Sequence, residues 1–465
     1  MARPLASPDP LLEPAVDPRP LLLTRLDEVL RGSRSPVDEV ERALGAARRS
    51  SGLNAYITLM GERALLRARE IEREIGAGRP AGLLAGIPIS LKDNIYTKGV
   101  RTTMASEIYV DNVPSVSADI VGALEDEDAI IVGKANMHEL ASGVTGVSSH
   151  FGPQRNPVDP ERIAGGSSGG SAISVATGSA YASVGTDTAG SVRIPAALCG
   201  VVGYKPSYAS ISLNGVFPLA WSLDAAGVLA RTVPDAAYVA VVLMGRRRPY
   251  GLVSERYVDP GAIARGADPK GVRLGYLKVD EGAGPVNRAF MGAVSRLDSE
   301  GFGLEPVDLD LDAVTEYYKI IRYAEAAAVH AENFRKRPGA FSPDVAELVR
   351  IGMGISAADY LNALRIRRQL VAEVRARLSR FDAVATPTLP LTAPRISEVS
   401  DASSALAFRA EATRHTILAS FAGLPAISLP MGEVEGLPAG IQLMGDVDGD
   451  GRLLEVARAV EVALA

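Results

Sequence analysis

The sequence predicts an α/β protein with a mixed or mostly parallel sheet, and three observations support this. Short apolar runs rich in β-branched residues alternate with segments of helical period along most of the chain. The 465 residues are 47% hydrophobic, which is enough for a large buried core. Residues 36–465 contain neither an internal repeat nor a proline-rich linker. We therefore expect one large domain over 36–465, preceded by a proline-rich arm over 1–35.

The first elements lead to a lysine at the end of a strand. Ser35 provides an N-cap for a helix over 36–49, and a second helical period covers 62–75. Residues 86–91, GIPISL, predict a strand that delivers Lys92 at its carboxyl end, where open α/β sheets bind ligands. The same patterns predict further helices at 117–124, 136–142, 236–244, 286–299, 316–335, 357–379 and 452–464, and strands at 129–132, 201–204, 271–276, 383–386, 426–429 and 440–444.

Residues 165–193 are the densest in chemistry. They begin as GGSSGGSAISVATGS and end as GTDTAGSVR, so that two glycine-rich turns bearing serines flank a small-residue segment. We expect that segment to be a buried helix that runs into a strand. Glycine lets a backbone come within contact distance of a ligand, so these turns predict a site built from main-chain N–H groups. Residues 246–271 are polar and glycine-rich, and we expect a lid or surface excursion there.

Composition indicates a soluble and mildly acidic protein. The net charge of −6 gives no reason to expect a nucleic acid or an anionic membrane as partner. Cys199 is the only cysteine, and residues 1–20 are too rich in proline and aspartate for the apolar core of a signal peptide. The longest apolar run, 236–244, is far shorter than the roughly 20 residues that span a bilayer. We expect a cytoplasmic protein, and the sequence leaves a homodimer open.

Ser191 and Lys92 are the candidate nucleophile and base. Ser191 follows a glycine in a turn that is expected to begin a helix, where convergent N–H groups stabilise an oxyanion. The alternative for Ser191 is a simple helix N-cap. A serine needs a base, but none of the four histidines lies in a glycine-rich or turn context. Lysine serves when burial lowers its pKa, and Lys92 ends an apolar strand; the alternative for Lys92 is a salt bridge.

Two other motifs are weaker. Residues 166–170, GSSGG, match the nucleophile-elbow pattern G-x-S-x-G around Ser168, but that pattern needs a strand before the serine, and the preceding residues predict a loop. The glycines also resemble a phosphate-binding loop, yet no GK[ST] ending follows them. Neither the elbow nor the phosphate loop therefore explains the region.

Four blocks closely resemble the amidase signature family, in the family's order: GIPISLKDNI, VGKANMHEL, AGGSSGGSA and GTDTAGSVRIPAALCGVVGYKP. Ser167 and Ser191 stand 24 residues apart, which is the separation of that family's two catalytic serines. Later blocks, including GLPAISLP and GLPAGIQLMG, extend the similarity from about residue 36 to the end. The resemblance implies a single large α/β domain with a central mixed sheet flanked by helices on both faces.

The resemblance also implies a Ser, cis-Ser, Lys triad. Ser191 would be the nucleophile, Ser167 the bridging serine after a cis Gly166–Ser167 peptide, and Lys92 the base. No metal or cofactor would be needed. The implied oxyanion donors are the backbone N–H groups of Thr188, Ala189, Gly190 and Ser191, and the implied substrate-pocket residues are Ala141, Ser142 and Gly143.

Two positions depart from the family's pattern. Ala189 stands where glycine is usual, which costs little if its φ is negative. Thr413 stands where the glutamine-hydrolysing A subunit of tRNA-dependent amidotransferases has an aspartate for the substrate's amino group. We therefore expect an amidase that converts a small-molecule carboxylic amide to the acid and ammonia or an amine, without nucleic acid or membrane. The alternatives are the A subunit of a tRNA-dependent amidotransferase and a non-catalytic binding member of the fold.

Overall fold

Eleven strands join into one mixed sheet in the computed structural model, which describes residues 21–245 and 258–465. The strands are β1 (Tyr56–Leu59), β2 (Pro88–Lys92), β3 (Ile130–Ala135), β4 (Ala182–Asp187), β5 (Val202–Lys205), β6 (Ala225–Ala230), β7 (Arg273–Leu277), β8 (Gly303–Val307), β9 (Ala383–Pro387), β10 (Ala426–Val434) and β11 (Leu437–Met444). Their order across the sheet is β1-β3-β2-β4-β6-β5-β10-β11-β9-β7-β8. β2 is parallel to β3 and β4, and β7 is parallel to β8 and β9. The other neighbouring pairs are antiparallel.

Helices cover both faces of this sheet. They are α1 (Leu21–Leu30), α2 (Pro36–Arg49), α3 (Gly61–Gly76), α4 (Asp119–Asp126), α5 (Gly169–Ala176), α6 (Arg193–Cys199), α7 (Val233–Met244), α8 (Pro260–Arg265), α9 (Pro285–Ser299), α10 (Leu311–Lys336), α11 (Pro343–Met353), α12 (Ala357–Leu378), α13 (Ala402–Ala412), α14 (Ile417–Ala422) and α15 (Asp450–Leu464). Successive strand residues point to opposite faces. In β9, Ala383 and Ala385 join the core that contains α7, α9 and α15, whereas Val384 joins the core that contains α10, α12 and α14. The predicted single α/β domain with helices on both faces is confirmed.

Most predicted elements are present, with bounds that shift by a few residues. The Ser35 hydroxyl caps α2, as predicted, by accepting the N–H of Val37 at 3.0 Å and of Asp38 at 3.4 Å. The small-residue segment between the two glycine-rich turns forms α5 and then β4. These elements position the two serine turns at the edge of the sheet where Lys92 ends β2.

The helix predicted over 136–142 is wrong. Only a single 3-10 turn, Glu139–Ala141, forms there, and Leu140 and Ala141 have φ values of 53° and 57°. The N–H of Leu140 donates to the carbonyl of Met104 at 2.9 Å, so this segment bonds to a neighbouring loop and not along a helix. Left-handed backbone at two consecutive residues ends any right-handed helix.

Packing begins before residue 36. Leu22 and Leu26 of α1 are buried in the main core, and Asp235 accepts the N–H groups of Leu21 and Leu23 at 3.0 and 3.2 Å. The end of the predicted arm is therefore part of the packed structure, because these leucines cover apolar surface of α7. Residues 1–20 of the arm lie outside the described residues.

The predicted lid over 246–271 is described only from residue 258. There α8 buries Ile263 in the main core, and the N–H of Ala267 donates to the carbonyl of Glu455 in α15 at 3.0 Å. This part of the segment is therefore packed on the domain, and residues 246–257 lie outside the described residues. Within 21–245 and 258–465, no helix has the length and apolar character needed to cross a membrane.

Candidate active site

Lys92 lies fully buried at the carboxyl end of β2. Its Nζ donates to Ser167 Oγ at 2.7 Å, to Thr186 Oγ1 at 2.8 Å and to the Thr186 carbonyl at 3.2 Å. The side-chain amide of Asn94 donates to the same Thr186 hydroxyl at 3.2 Å. All three acceptors of Lys92 are uncharged, so its contacts fix the direction of the amine without a salt bridge.

Burial lowers the pKa of Lys92 to about 7, while the carboxylates of Asp187 and Asp224 oppose part of that shift. Desolvation disfavours the ammonium more than the neutral amine. The salt-bridge alternative for Lys92 fails, because the amine bonds to hydroxyls and a carbonyl. Near neutral pH a large fraction of Lys92 is therefore the neutral amine, which accepts a proton.

Ser167 lies in a turn that only small residues fit. The Gly166–Ser167 peptide is cis. Gly165 has φ +80°, and a Cβ on Gly166 would lie 3.1 Å from the backbone nitrogen of Gly146. The N–H of His138 donates to the Ser167 carbonyl at 3.0 Å. The hydroxyl of Ser167 is thereby held towards Lys92.

Ser191 follows β4 in the second turn, two residues before α6. The N–H of Ser168 donates to the Ser191 carbonyl at 3.1 Å, which joins the two serine turns. Gly190 has φ +111°, and a Cβ there would lie 2.5 Å from Thr416 Oγ1. Only glycine fits this position. The structure therefore brings Lys92, Ser167 and Ser191 together from three separate segments.

A buried ion pair shapes the Ser191 turn. The Asp187 carboxylate accepts the N–H groups of Gly190 at 2.8 Å and Val192 at 3.1 Å, and it pairs with Arg193 at 2.7 Å. Burial would raise the pKa of Asp187, but the charge and hydrogen bonds of Arg193 outweigh it and hold that pKa well below its usual range. The carboxylate remains ionised and fixes the backbone around Ser191.

The four predicted oxyanion donors are not equivalent. The N–H of Gly190 is occupied by Asp187. In the part of the chain that the structure describes, the N–H groups of Thr188, Ala189 and Ser191 have no acceptor. Ala189 is not among the described residues with positive φ, so alanine is tolerated where the family usually has glycine. Three donors beside Ser191 are therefore free to bind an oxyanion.

A second buried acid, Asp224, supports the same turn from the other side. It accepts the Thr188 hydroxyl at 2.6 Å and the N–H groups of Leu219 and Ala220 at 2.9 and 3.0 Å. Burial raises the pKa of Asp224 to about 6, against the opposing effect of these hydrogen bonds. Tyr318 of α10 donates its hydroxyl to the Thr188 carbonyl at 3.1 Å. Hydrogen bonds thus hold Thr188 of this turn at both its side-chain hydroxyl and its backbone carbonyl.

A cavity of about 270 Å³ opens beside Thr186 and Asn94. Of the three predicted pocket residues, Ala141 lines it. Ser142 accepts a hydrogen bond from Arg322 at 2.7 Å, and Gly143 packs against the His138 ring so closely that a Cβ would overlap Nε2. The remaining wall is largely apolar and is formed by residues between Tyr208 and Trp221. Ala141 therefore lies at the cavity, while Ser142 and Gly143 support the loop behind it.

The residues that the sequence alone did not identify are Thr186, Asp224 and Arg322. Thr186 stands five residues before Ser191 within GTDTAGS, so its position in a hydroxyl-rich block was the available signal. Asp224 follows a serine and a leucine in an otherwise apolar stretch. Arg322 interrupts the apolar face of a long helix, which is an unusual place for a charge.

Comparison with known proteins gives consistent matches. The amidase family model matches residues 39–454. The A subunit of the Symbiobacterium thermophilum glutamyl-tRNA(Gln) amidotransferase is 37% identical, over 93% of this chain and 94% of the relative. A crystal structure of an amidase has a TM-score of 0.85 at 33% identity, covering 96% of this chain and all of that one. The A subunit of the Thermotoga maritima glutamyl-tRNA(Gln) amidotransferase has a TM-score of 0.77 at 33% identity, with 91% of each chain covered.

These relatives contradict the expected partners. The sequence predicted a small-molecule amide as the partner and no nucleic acid, on the basis of a net charge of −6. The relatives are subunits of enzymes named for glutamyl-tRNA(Gln). Net charge of the whole chain is a weak guide here, since one member of an assembly need not itself bind the RNA that the assembly uses.

Proposed function

The chain belongs to the amidase family and is an enzyme that acts on amide C–N bonds, and from this premise we propose that Ser191, Ser167 and Lys92 carry the reaction. Neutral Lys92 takes a proton from Ser167, and Ser167 takes one from Ser191 as Ser191 Oγ attacks the amide carbonyl. The contact of 2.7 Å between Lys92 Nζ and Ser167 Oγ supports this relay most directly.

The N–H groups of Thr188, Ala189 and Ser191 then stabilise the tetrahedral oxyanion. The relayed proton passes to the leaving nitrogen, the C–N bond breaks, and the acyl group remains as an ester on Ser191. Water adds to that ester with the relay acting again as base, and the carboxylic acid leaves. Asp187 and Asp224 take no proton in this scheme; they position the turn.

Among amide-hydrolysing functions, we favour the A subunit of a tRNA-dependent amidotransferase, which releases ammonia from glutamine. The supporting observation is the similarity to such subunits, at 33–37% identity over most of both chains. This alternative is better supported than the stand-alone amidase that the sequence first suggested. The single buried Cys199 is compatible with a cytoplasmic location.

The test is ammonia release from glutamine, measured for the chain alone and with the other amidotransferase subunits of the same organism. We expect Glu-tRNA(Gln) to stimulate ammonia release in the assembled enzyme, with formation of Gln-tRNA(Gln). Equal release in the presence and absence of tRNA and the other subunits would argue against the amidotransferase function.

The second candidate is a stand-alone amidase for a different amide, and Thr413 favours it. Thr413 is buried and donates its hydroxyl to the Arg409 carbonyl at 2.9 Å. It offers no negative charge for the amino group of glutamine. Hydrolysis of other carboxylic amides at rates above that of glutamine would support this candidate. A fluorophosphonate probe separates both from a non-catalytic member, which would not be labelled at Ser191.

The pKa of Lys92 predicts how the rate depends on pH. The relay requires the neutral amine, whose fraction grows as pH rises through about 7. We expect kcat/KM to increase about tenfold per pH unit below that value and to level off roughly one unit above it. A profile that is flat between about pH 6 and pH 9 would show that Lys92 is not the base.

A further inference from the structure

Two arginines beside the site are buried without an acidic partner. Arg322 of α10 is 2% exposed and Arg409 of α13 is 8% exposed. Across residues 21–245 and 258–465, neither guanidinium lies within 4.0 Å of a carboxylate oxygen. Arg322 Nη2 donates to Ser142 Oγ at 2.7 Å, while its Nη1 is buried without a hydrogen-bond partner. Buried charges are normally paired, so this arrangement calls for an anion from outside the chain.

The two guanidiniums lie over one aromatic ring. The ring of Tyr323 has its centroid 5.1 Å from Arg322 Cζ and 5.4 Å from Arg409 Cζ. Arg409 Nη1 also donates to the Tyr323 hydroxyl at 2.7 Å. The charges of Arg409 and Arg322 lower the pKa of Tyr323 despite its burial, but even a phenolate would cancel only one of the two positive charges.

The acids whose charges raise the pKa values of this pair, Asp224 for Arg322 and Asp344 for Arg409, are already occupied. Asp224 accepts the Thr188 hydroxyl and two backbone N–H groups. Asp344 accepts the Ser148 hydroxyl at 2.7 Å and lies 3.1 Å from His138 Nε2. Neither acid lies within ion-pair distance of Arg322 or Arg409. Neither therefore forms a salt bridge with the two arginines.

The position of Arg322 on α10 places it near the turn that contains Thr188 and Ser191. Tyr318, Arg322 and Ala326 are four residues apart and share one helix face. Tyr318 donates to the carbonyl of Thr188 in the oxyanion turn at 3.1 Å, and Ala326 packs in one cluster with Ala141 of the cavity wall. Arg322 therefore lies between the turn that carries the nucleophile and the wall of the substrate cavity.

Arg409 reaches the same region from α13. Thr413 lies one turn later and bonds to the Arg409 carbonyl, and Thr416 beyond it donates its hydroxyl to the Ala189 carbonyl. Thr413 adds no negative charge to this region. The charges that Arg322 and Arg409 bring to it are both positive.

We infer that Arg322 and Arg409 bind a carboxylate of the substrate, so that the substrate is an amide that also carries a carboxylate, such as the monoamide of a dicarboxylic acid. This inference rests on the proposed amide hydrolysis at Ser191. The guanidinium group matches carboxylate geometry with two parallel hydrogen bonds. Glutamine has such a carboxylate, but Thr413 offers no charge for its amino group, and glutaramate lacks only that group.

The test compares glutaramate with pentanamide, a neutral amide of the same chain length. We expect kcat/KM of the parent enzyme to be at least about 100-fold higher for glutaramate, because two buried cations lose their anion with pentanamide. Arg322→Met and Arg409→Met should each lower kcat/KM for glutaramate about 100-fold more than they lower kcat/KM for pentanamide. Arg322→Lys should lie between parent and Arg322→Met, since it keeps the charge but not the planar geometry.

Arg365→Met is the matched control, since Arg365 is an exposed arginine of α12 that bonds to Asn362. Arg365→Met should leave kcat/KM for glutaramate and kcat/KM for pentanamide unchanged. Equal kcat/KM values of the parent enzyme for the two amides would refute the carboxylate site. An equal decrease of kcat/KM for both amides in Arg322→Met would refute it as well. Neither result would contradict the proposed amide hydrolysis. Absence of any amide hydrolysis together with no labelling of Ser191 would instead overturn the proposed function.

Binding of glutarate gives a readout that does not depend on turnover. Glutarate should raise the Tm of the parent and of Ser191→Ala, but not of Arg322→Met. Arg322→Met should itself fold, because it removes an uncompensated buried charge. No Tm shift in the parent at concentrations up to tens of millimolar would refute the anion site, whatever the activity.

Discussion

Replacing Ser191 with alanine is expected to lower kcat for amide hydrolysis by at least about 10⁴-fold, because no acyl-enzyme forms without its hydroxyl. The fold should be unaffected. In the described part of the chain Ser191 Oγ makes no hydrogen bond, whereas the Ser191 carbonyl, which alanine retains, accepts the N–H of Ser168. The measurement is ammonia release under saturating substrate, with circular dichroism melting to compare stability.

Ser168→Ala is the control for this prediction. Ser168 is equally buried in the neighbouring turn, and its hydroxyl donates to the Thr186 carbonyl at 3.2 Å. Loss of this hydroxyl should lower the free energy of unfolding by about 1 kcal/mol and should lower kcat less than about tenfold. Fluorophosphonate should label this variant and not Ser191→Ala. Labelling of Ser191→Ala at Ser168 would revive the nucleophile-elbow interpretation.

The sequence predicted most strands with a strong local signal, although it missed β1, YITL, and it missed β6, which depends on its partners. β2 lies in the apolar run GIPISL, whose β-branched residues Ile87 and Ile89 predicted a strand that ends at Lys92. β6 reads as AAGVLA, and alanine and glycine have low β propensity. It is a strand because β4 and β5 pair with it on either side. Such long-range pairing is invisible to a local pattern.

The sequence predicted those residues of the candidate site that lie in the blocks resembling the amidase signature family. Lys92, Ser167 and Ser191 each lie in a block that resembles the family, and the structure brings them together as a group. The supporting acid Asp224 lies in SLDAAGVLARTV, a later block that also resembles the family but that gave Asp224 no role, and the arginine pair stands outside the blocks. Arg322 and Arg409 meet over Tyr323 only because α10 and α13 pack around the same ring. Contacts between residues so distant in the chain follow from tertiary packing.

Two departures from expectation and one from the family's pattern concern this same region. The 136–142 helix is replaced by left-handed backbone at Leu140 and Ala141, which sets the cavity wall. The N–H of Gly190 donates to the Asp187 carboxylate, so three of the four predicted oxyanion donors remain free. Thr413 brings no charge to a region that holds the two buried cations Arg322 and Arg409. The proposed chemistry of attack is the one that the resemblance to the family implies, whereas the proposed carboxylate site rests on residues of the structure outside the blocks that carry that resemblance.

Replacing Lys92 with methionine should lower kcat/KM for amides by about 10²- to 10⁴-fold, the usual contribution of a general base. Methionine has a similar volume and no charge, so the buried site should tolerate it and the variant should fold. The ascending limb of the pH profile near 7 should disappear as well, because the titrating amine is gone. Persistence of that limb in Lys92→Met would assign it to another group.

Lys205→Met provides the matched test of that assignment. Burial lowers the pKa of Lys205 to about 7, as it does for Lys92, but Lys205 Nζ donates to the Pro206 carbonyl at 2.9 Å and not to Ser167. If the ascending limb of the pH profile reflects titration of the catalytic base, the limb should persist in Lys205→Met and disappear in Lys92→Met. The reverse result would mean that the rate depends on the charge balance around Arg193. Two lysines whose pKa values are both lowered by burial are then distinguished by contact with Ser167, which Lys92 has and Lys205 lacks.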